Sequence, residues 1–326
     1  MTGVRLIAVT DNESNIRLDR WFYRHYPELK HGRLEKLLRT GQIRLDSARA
    51  KGSTRVRTGQ KIRIPPSVAA AMHDTKQPMA VDPNDIVDLL NLIIYKDDHV
   101  IALNKPPGLA VQGGSRINRH IDGMLDGLRF GAAERPRLVH RLDKDTSGVL
   151  VLGRSANSAA RLASAFRGKE AIKTYWALTV GVPSPAAGRI DLAIAKRPTN
   201  SGERVVADAV SGKRAITNYA VTAQAGQKIA WITLKPQTGR THQLRVHCAA
   251  LGVPIIGDRK YGGTASVING LPSGSMMLHA RAIELPHPVG GRLEIEAPLH
   301  DGMRSAWQFL GFEPETVMSA MNDSLK

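Results

Sequence analysis

The chain has 326 residues, 42% of them hydrophobic and 23% charged, which is typical of soluble globular proteins and excludes disordered and collagen-like chains. Its 46 lysines and arginines outnumber its 29 acidic residues, so the formal net charge is +17. This excess favours a polyanionic partner, either nucleic acid or an anionic membrane surface. The single cysteine, Cys248, excludes an intramolecular disulfide and a cysteine-rich zinc site.

The first residues lack the pattern of a signal peptide, and no window reaches the ~18 uninterrupted apolar residues that a membrane-spanning helix requires. We therefore expect a cytoplasmic protein that does not enter a membrane.

The first 63 residues predict a small basic module, since they contain 15 Lys and Arg residues but six Asp and Glu residues. Two helices are predicted from apolar residues at helical spacing, which are Leu18, Trp21, Phe22 and Tyr26 in the first and Leu34, Leu37 and Leu38 in the second. The opposite face of the second helix carries Arg33, Lys36 and Arg39, and Gly41 ends it. Alternating residues predict strands over 42–45 and 56–64, and a turn at 58–60 is predicted to break the second strand.

Three regions are predicted: the module at residues 1–64, a proline-rich linker at 65–85 and a large domain at 86–326. In the large domain we expect strands over 92–95, 100–103, 148–152, 174–180, 229–234 and 292–296, and helices over 155–166 and 241–251. Strands and helices do not alternate regularly. The pattern therefore predicts an α+β fold with a mixed sheet, rather than a doubly wound fold.

Familiar nucleotide and metal motifs are absent from the sequence. It has no G-x-x-x-x-G-K-[ST] loop, no G-x-G-x-x-G after a strand, no H-E-x-x-H and no G-x-S-x-G. His242 and His247 are five residues apart, a poor spacing for one helix face, and no cysteine pair accompanies them. We expect neither a nucleotide cofactor nor a metal.

The segment LVHRLDKDTSG at 138–148 is the first candidate site, because a polar loop rich in ionisable groups leads directly into an apolar strand. Asp143 and Asp145 are two residues apart, so in an extended chain they would share a face. The alternative interpretation is that one aspartate caps the turn while the other is solvated.

Two further segments are candidates. In PQTGRTHQLRVH at 236–247, Thr238 or Gly239 is positioned to cap a helix whose N-terminal end would attract an anion, and Arg240, His242 and Arg245 add donors. A surface helix with solvated arginines explains the same pattern. In KTYWAL at 173–178, Lys173 and Tyr175 share one strand face, although a strand tyrosine usually belongs to the core.

Five blocks in a fixed order carry a resemblance. They are NKPPG at 104–108, HRLDKDTSG at 140–148, KTYWAL at 173–178, QTGRTHQLRVH at 237–247 and IIGDRKYG at 255–262. The chain resembles the RluA family of pseudouridine synthases, and its basic module is similar to an S4 RNA-binding domain. The tracts 110–115 and 201–221 are most similar to the bacterial, RluC-type subgroup that modifies several uridines in 23S rRNA. Leu244 departs from the family's commoner isoleucine.

The resemblance implies a pseudouridine synthase catalytic domain with a mixed, mainly antiparallel sheet, which isomerises uridine in RNA by breaking C1′–N1 and rejoining the base through C5. It assigns the essential carboxylate to Asp143, base stacking and help in removing the C5 proton to Tyr175, and pairing with Asp143 to Arg240. Arg141 would enter the RNA stack in place of the flipped uridine. The carboxylate would act either as a nucleophile or as a base.

The resemblance also implies 23S rRNA or a pre-ribosomal particle as partner, RNA contacts by Arg33, Lys36 and Arg39, no cofactor and a monomeric protein. Two alternatives stay open. The first is a non-catalytic RNA-binding or ribosome-assembly factor with this fold. The second is a retaining glycoside hydrolase that uses Asp143 and Asp145, whose carboxyl groups would then be ~5–5.5 Å apart.

Overall fold

The computed structural model describes residues 4–26, 29, 31–69, 82–113, 117, 119–199, 202–272 and 275–313. The chain divides into two compact units, Met1–Ala80 and Val81–Lys326. Within the described residues, no helix combines the length and the apolar composition needed to cross a membrane.

The small unit packs helices against a short sheet. Its described elements are, in chain order, β1 (Arg5–Ala8), α1 (Leu18–His25), α2 (His31–Arg39), β2 (Arg44–Leu45), β3 (Lys61–Ile64) and α3 (Pro66–Ala69). The strands pair antiparallel in the order β1-β3-β2. The two predicted helices form, and their apolar faces bury Trp21, Phe22 and Leu37 against Ile62 and Ile64. Strand β1 was not predicted, and of the strand predicted over 56–64 only the part after the predicted turn at 58–60 forms, as β3 from Lys61.

The large unit holds one extended sheet with helices against it. Its described strands are β4 (Ile93–Lys96), β5 (Val100–Lys105), β6 (Arg137–Leu138), β7 (Ser147–Gly153), β8 (Ile172–Val180), β9 (Ala187–Asp191), β10 (Ile194–Thr199), β11 (Gly202–Ala207), β12 (Ile216–Ala225), β13 (Ile229–Pro236), β14 (Leu278–Pro286) and β15 (Arg292–Glu296). Its described helices are α4 (Pro83–Asn91), α5 (Ile121–Met124), α6 (Ala156–Gly168), α7 (Gln243–Ala250) and α8 (Asp301–Phe309).

Ten strands form the main sheet, in the order β4-β5-β7-β14-β8-β13-β12-β9, with β15 paired to β14 and β6 to β7. Strand β14 runs parallel to β7, while the other neighbouring strands of this sheet are antiparallel. The prediction of an α+β fold with a mixed, mainly antiparallel sheet is therefore confirmed. Strands β10 and β11 form a separate antiparallel hairpin.

Both faces of the central strands are buried, which explains their continuous apolar sequence. Alternate residues of β7 enter different cores, since Leu150 and Leu152 pack with helices α4 and α5 while Val149 and Val151 pack beneath α6. A third core, around Trp176, Trp231 and Trp307, lies between strands β8 and β13 and helix α8. The candidate loop at 139–146 thus leads into a strand, β7, that is buried along its whole length.

Gly148 makes the parallel pairing of β7 with β14 geometrically feasible. It pairs with Ala280 of β14 and adopts φ +105°, and a Cβ at this position would lie 2.2 Å from the Ala280 carbonyl oxygen. A residue with a side chain would have to push the two strands apart. A glycine is therefore required at position 148, the second residue of β7, where the candidate loop enters this strand.

Helical residues lie near both ends of the predicted linker at 65–85. Residues 66–69 form α3 and α4 begins at Pro83, while residues 70–81 lie outside the described part of the chain. Asp82 caps α4, because its carboxylate accepts a hydrogen bond from the Asn84 backbone N–H at 2.9 Å. Proline at the first helical position starts a helix here rather than interrupting the chain.

Candidate active site

The loop between β6 and β7, residues 139–146, is anchored by His140. The Val151 backbone N–H donates to its Nε2 at 2.8 Å, and its ring stacks on Phe166 with centroids 4.5 Å apart. Burial lowers the pKa of His140 to about 3, and the positive charge of Lys173 adds to the effect. His140 is therefore a neutral structural side chain that fixes the start of the loop.

Lys105 also holds the loop at 139–146, through a hydrogen bond to its backbone. Its side chain is fully buried, and Nζ donates to the carbonyls of Pro106, Leu109 and Lys144 at 2.8–2.9 Å. Burial lowers the pKa of Lys105 to about 7, against the opposing charges of Asp145 and Asp143. Lys144 lies between Asp143 and Asp145, so the hydrogen bond from Lys105 to the Lys144 carbonyl fixes the backbone next to Asp143.

The Asp143 carboxylate faces the beginning of α7. Its side chain is 19% exposed, and Oδ2 lies 3.9 Å from Nε2 of His242 and 3.9 Å from Nη1 of Arg245. Asp145, by contrast, is exposed. The two aspartates therefore have different environments, and it is Asp143 that lies beside the His242 imidazole and the Arg245 guanidinium.

Arg245 is held by a second carboxylate. Its Nε and Nη2 donate to the two oxygens of Asp258 at 2.7 Å each, and the side chains are only 7% and 1% exposed. Burial by itself lowers the pKa of Arg245, but the hydrogen bonds and charge of Asp258, with a contribution from Asp143, raise it overall. The guanidinium is thus a permanent, oriented cation beside Asp143.

His242 stands at the N-cap of α7 with φ +53°, a left-handed backbone conformation that few residues with side chains adopt. Its Nδ1 is 2.6 Å from the Tyr261 hydroxyl. Burial lowers the pKa of His242, although the charge of Asp143 opposes this. The helix begins here rather than at the expected cap, Thr238 or Gly239, because Thr238 instead accepts from Ile216 N–H and donates to the Gln243 side chain.

Tyr175 lies on β8 in the wall of a cavity of about 970 Å³ that also contains Asp143. The ring is partly buried and packs against two of the hydrophobic cores. Burial raises the pKa of the phenol, and the negative charge of Asp143 raises it further. At neutral pH Tyr175 is therefore a neutral phenol, suited to stacking and to hydrogen-bond donation.

The prediction that Arg240 pairs with Asp143 is corrected by the structure, in which this ion pair is not formed. Arg240 is exposed in the turn before α7, where its Nε donates to the Arg214 carbonyl at 3.4 Å. The arginine beside Asp143 is Arg245, because it lies inside the first turns of the helix and turns inward with the buried face. Arg240 still lines the same cavity, at its rim.

Two cavities meet at Asp143. The second has a volume of about 940 Å³, and both are lined by Arg141, Asp143, His242 and Arg245. Arg141 is exposed at the junction. The first cavity is further lined by Arg167, Lys169, Lys173 and Lys235, whereas Asp143 is the one acidic side chain that the described residues contribute to it. The arrangement suits a polyanion whose reacting group approaches a single carboxylate.

The predicted RNA-binding residues Arg33, Lys36 and Arg39 are exposed on α2 of the small unit, on the face opposite its buried leucines. Within the part of the chain that the structure describes, no group of three or more His, Cys, Asp or Glu side chains is arranged to hold a metal ion.

Asp258, Tyr261 and Lys105 have no predicted role in the sequence, and Arg245 has only that of a general hydrogen-bond donor. Two of the five blocks, NKPPG and IIGDRKYG, contain three of these residues. The available signal was the presence of charged residues inside otherwise apolar or glycine-rich segments. The contacts Asp258–Arg245, Tyr261–His242 and Lys105–Lys144 join residues that are 13, 19 and 39 positions apart, so no local pattern connects them.

Comparisons of sequence and of structure find proteins that are similar to this chain. A family profile described as RNA pseudouridylate synthase matches residues 99–250. "Ribosomal large subunit pseudouridine synthase C" of Rickettsia conorii is 39% identical over 293 residues, covering 87% of this chain and 94% of the relative. The protein of the same name from Escherichia coli is 34% identical over 323 residues, covering 94% and 97%. The solved structure of human RNA pseudouridylate synthase domain containing 4 is 30% identical, with a TM-score of 0.60 over 70% of this chain and 96% of that one.

Proposed function

Since the chain belongs to the RluA family of RNA pseudouridylate synthases and is of the RluC type, we propose that it converts uridines of 23S ribosomal RNA into pseudouridine with Asp143 as the reacting carboxylate. The observation that carries the proposal is the position of Asp143. It lies where two cavities meet, beside the cation Arg245, and it is the one acidic side chain that the described residues contribute to the first cavity.

The reaction is an isomerisation and needs no oxidant or reductant. The bond between N1 of uracil and C1′ of ribose breaks, the base turns, and a bond forms between C5 and C1′. The C5 proton is lost and N1 gains a proton, so atoms and charge balance. Two routes fit one carboxylate beside the sugar: Asp143 attacks C1′ as a nucleophile, or it removes a sugar proton as a base in a glycal-type route.

Arg245 and His242 serve this chemistry by orienting the Asp143 carboxylate and by excluding water from one of its oxygens. Both lie 3.9 Å from Oδ2. Tyr175 stacks on the extruded base. Because burial raises the pKa of its phenol, it acts in its protonated form, as a hydrogen-bond partner during loss of the C5 proton.

Arg141 is proposed to fill the RNA stack after the uridine leaves it. Extruding a base costs a few kcal/mol, and an exposed guanidinium at the junction of both cavities is placed to replace the lost stacking. The further cations Arg167, Lys169, Lys173 and Lys235 are proposed to contact neighbouring phosphates.

Residues 1–64 are proposed to form an S4-like RNA-binding domain, followed by a linker at 65–85 and the catalytic domain at 86–326. Supporting this are the charge of the first 63 residues, their helices packed on a small sheet, and the exposed Arg33, Lys36 and Arg39. Phosphate contacts by such a domain add affinity without reading sequence. Arg240, at the cavity rim, is proposed as a further RNA contact.

The substrate follows from the relatives, whose names specify the large ribosomal subunit. The enzyme is proposed to act as a monomer in the cytoplasm, on 23S rRNA or on a pre-ribosomal particle, without a cofactor.

Site-resolved mapping of pseudouridine in total RNA tests this proposal. A strain that lacks the gene is expected to lose defined pseudouridines from 23S rRNA, and the wild-type gene is expected to restore them, whereas the Asp143→Asn gene is not. Identical maps with and without the gene would contradict the proposed function. Losses confined to tRNA would contradict the proposed substrate.

A further inference from the structure

We propose that Asp258 and Tyr261, in the turn that follows α7, are positioning residues that hold Arg245 and His242 against the Asp143 carboxylate. The inference rests on the proposed role of Asp143. Neither side chain is proposed to react with the RNA, and Asp258 is too deeply buried to contact it.

Asp258 is committed to internal partners. Beyond the two hydrogen bonds from Arg245, its Oδ1 accepts from the backbone N–H groups of Lys260 and Tyr261 at 3.1 and 3.2 Å. With an exposed fraction of 1%, the carboxylate cannot reach RNA. Asp258 thus accepts from two backbone N–H groups of the turn and from Nε and Nη2 of Arg245. The third guanidinium nitrogen, Nη1, is the one that lies 3.9 Å from Asp143.

Pairing with Asp258 fixes the position of the positive charge of Arg245. The planar guanidinium has two edges, and bidentate pairing with Asp258 fixes its plane. Without that partner a buried arginine would turn toward the other carboxylate or toward solvent, because an unpaired buried charge is unfavourable. Asp258 therefore sets the distance and angle at which Arg245 meets Asp143.

Tyr261 acts on His242 in the same way. The Val205 backbone N–H points at the Tyr261 oxygen at 3.3 Å and can only donate, so that oxygen accepts this hydrogen bond and its own hydrogen remains for Nδ1 of His242. The imidazole then carries its proton on Nε2, the atom 3.9 Å from Asp143. The hydroxyl thus selects the tautomer that presents N–H to the carboxylate.

The aromatic ring of Tyr261 contacts two arginines, and these contacts also fix the position of Tyr261. The guanidinium of Arg245 lies 5.0 Å from the ring centroid and that of Arg204, on the β10–β11 hairpin, lies 5.3 Å from it. One turn therefore contacts both neighbours of Asp143, and the aspartate and tyrosine hold them by independent hydrogen bonds.

Single-turnover kinetics with excess enzyme, together with RNA affinity and thermal unfolding, test the role of Asp258. Asp258→Asn is expected to slow the chemical step roughly 10- to 100-fold with little change in RNA affinity, as expected for a misplaced catalytic group. Asp97→Asn is the matched control, since this carboxylate also accepts several hydrogen bonds, from His287, Tyr95 and two backbone N–H groups, but lies outside both cavities. It is expected to lower stability and leave the rate unchanged.

A double-mutant cycle separates positioning from general structural damage. If Asp258 acts through Arg245, then Asp258→Asn causes no further loss of rate in an Arg245→Met background. The double variant removes both buried charges together, so it also remains informative if Asp258→Asn alone does not fold. Independent, multiplicative losses of rate would overturn the proposal for Asp258.

Tyr261→Phe tests the hydroxyl while keeping the ring. It is expected to slow the chemical step by roughly tenfold, and to have no additional effect in a His242→Ala background. Tyr219→Phe is its control, because the buried Tyr219 hydroxyl donates to the Pro185 carbonyl away from both cavities. A wild-type rate for Tyr261→Phe would overturn the proposal for Tyr261.

Asp143→Asn, measured in the same assay, separates this inference from the proposed function. If Asp143→Asn turns over like wild type, the role of Asp143 is wrong. If Asp143→Asn is inactive while folded Asp258→Asn and Tyr261→Phe both react at the wild-type rate, the role of Asp143 stands and the positioning roles are wrong.

Discussion

At the scale of single residues, the environment of Asp143 depends on which arginine is buried. Arg245 approaches it from a helix whose inward face is fully packed, while Arg240, five residues earlier, lies exposed in the preceding turn. A guanidinium that is already held by Asp258 needs no reorganisation to orient a second carboxylate. The charge that serves Asp143 is therefore expected to come from Arg245.

Substitution of the two arginines distinguishes them. Arg245→Met is expected to leave a small but measurable single-turnover rate, and Arg245→Lys is expected to retain more of it, because lysine keeps the charge but loses the planar fork. Arg240→Met is the matched control and is expected to weaken RNA binding modestly while the single-turnover rate at saturating enzyme stays near wild type. A dead Arg240→Met variant together with an active Arg245→Met variant would reverse the assignment.

His140 predicts how stability depends on pH. Its pKa is lowered by burial to about 3 in the folded protein, against about 6.5 when unfolded. Between these values the unfolded chain binds more protons, so the free energy of unfolding falls as the pH is lowered from 6.5 toward 3. His140→Asn is expected to flatten the dependence by up to about 1.4 kcal/mol per pH unit, measured by urea unfolding at several pH values. Parallel profiles for the two proteins would contradict this.

The residues of the candidate site were only partly predictable from the sequence. Asp143, Tyr175 and Arg141 follow from their blocks, and all three line one cavity. The choice between Arg240 and Arg245 did not follow, because it depends on the point where α7 begins, and His242 takes a left-handed conformation there instead of a usual capping residue. The contact between Asp258 and Arg245 arises from the tertiary fold alone.

At the scale of elements, apolar patterning identified the strands that are buried on both faces. Strands β5 and β7 and most of β8 and β13 follow continuous apolar runs, and their predicted ranges overlap the observed ones. Strand β14 was missed because a bulge between Ala280 and Ala282 interrupts its alternation. Strand β10 was missed because the exposed hairpin contains Lys196, Arg197 and Pro198 in succession. Edge and bulged strands have no simple pattern.

Helix α2 carries a prediction at the element scale. Its exposed face presents Arg33, Lys36 and Arg39, while Leu34, Leu37 and Leu38 are buried. Replacing the three cations by glutamine is expected to weaken RNA binding and to reduce the slope of log affinity against log salt by about 2 to 3, from roughly 0.7–0.9 per lost phosphate contact. The control Arg33→Lys with Arg39→Lys keeps the charge and should keep the slope. An unchanged slope in the glutamine variant would show that this face does not contact RNA.

At the scale of the whole molecule, the chain divides into a basic unit and a unit that contains the candidate site. Each has its own hydrophobic core, with Trp21 and Phe22 in the small unit and three tryptophans in one core of the large unit. Separate cores predict separate folding. The net charge of the first 63 residues further predicts that the small unit contributes affinity rather than chemistry.

Removal of residues 1–80 tests this division. The remaining chain is expected to unfold cooperatively, to bind 23S rRNA fragments more weakly and with a flatter salt dependence, and to keep its single-turnover rate when the enzyme saturates the RNA. Filter binding over a range of salt concentrations and calorimetry provide the measurements. Wild-type affinity with an unchanged slope would mean that the small unit does not bind the substrate.

Release of tritium from C5 of labelled uridine in a 23S rRNA fragment, measured under single-turnover conditions, tests directly whether Asp143 is the reacting carboxylate. Asp143→Asn is expected to release no tritium and to bind the RNA with an affinity within about twofold of wild type. Asp145→Asn, the exposed neighbour, is expected to keep most of its activity. An Asp143→Asn rate within about tenfold of wild type would contradict the account.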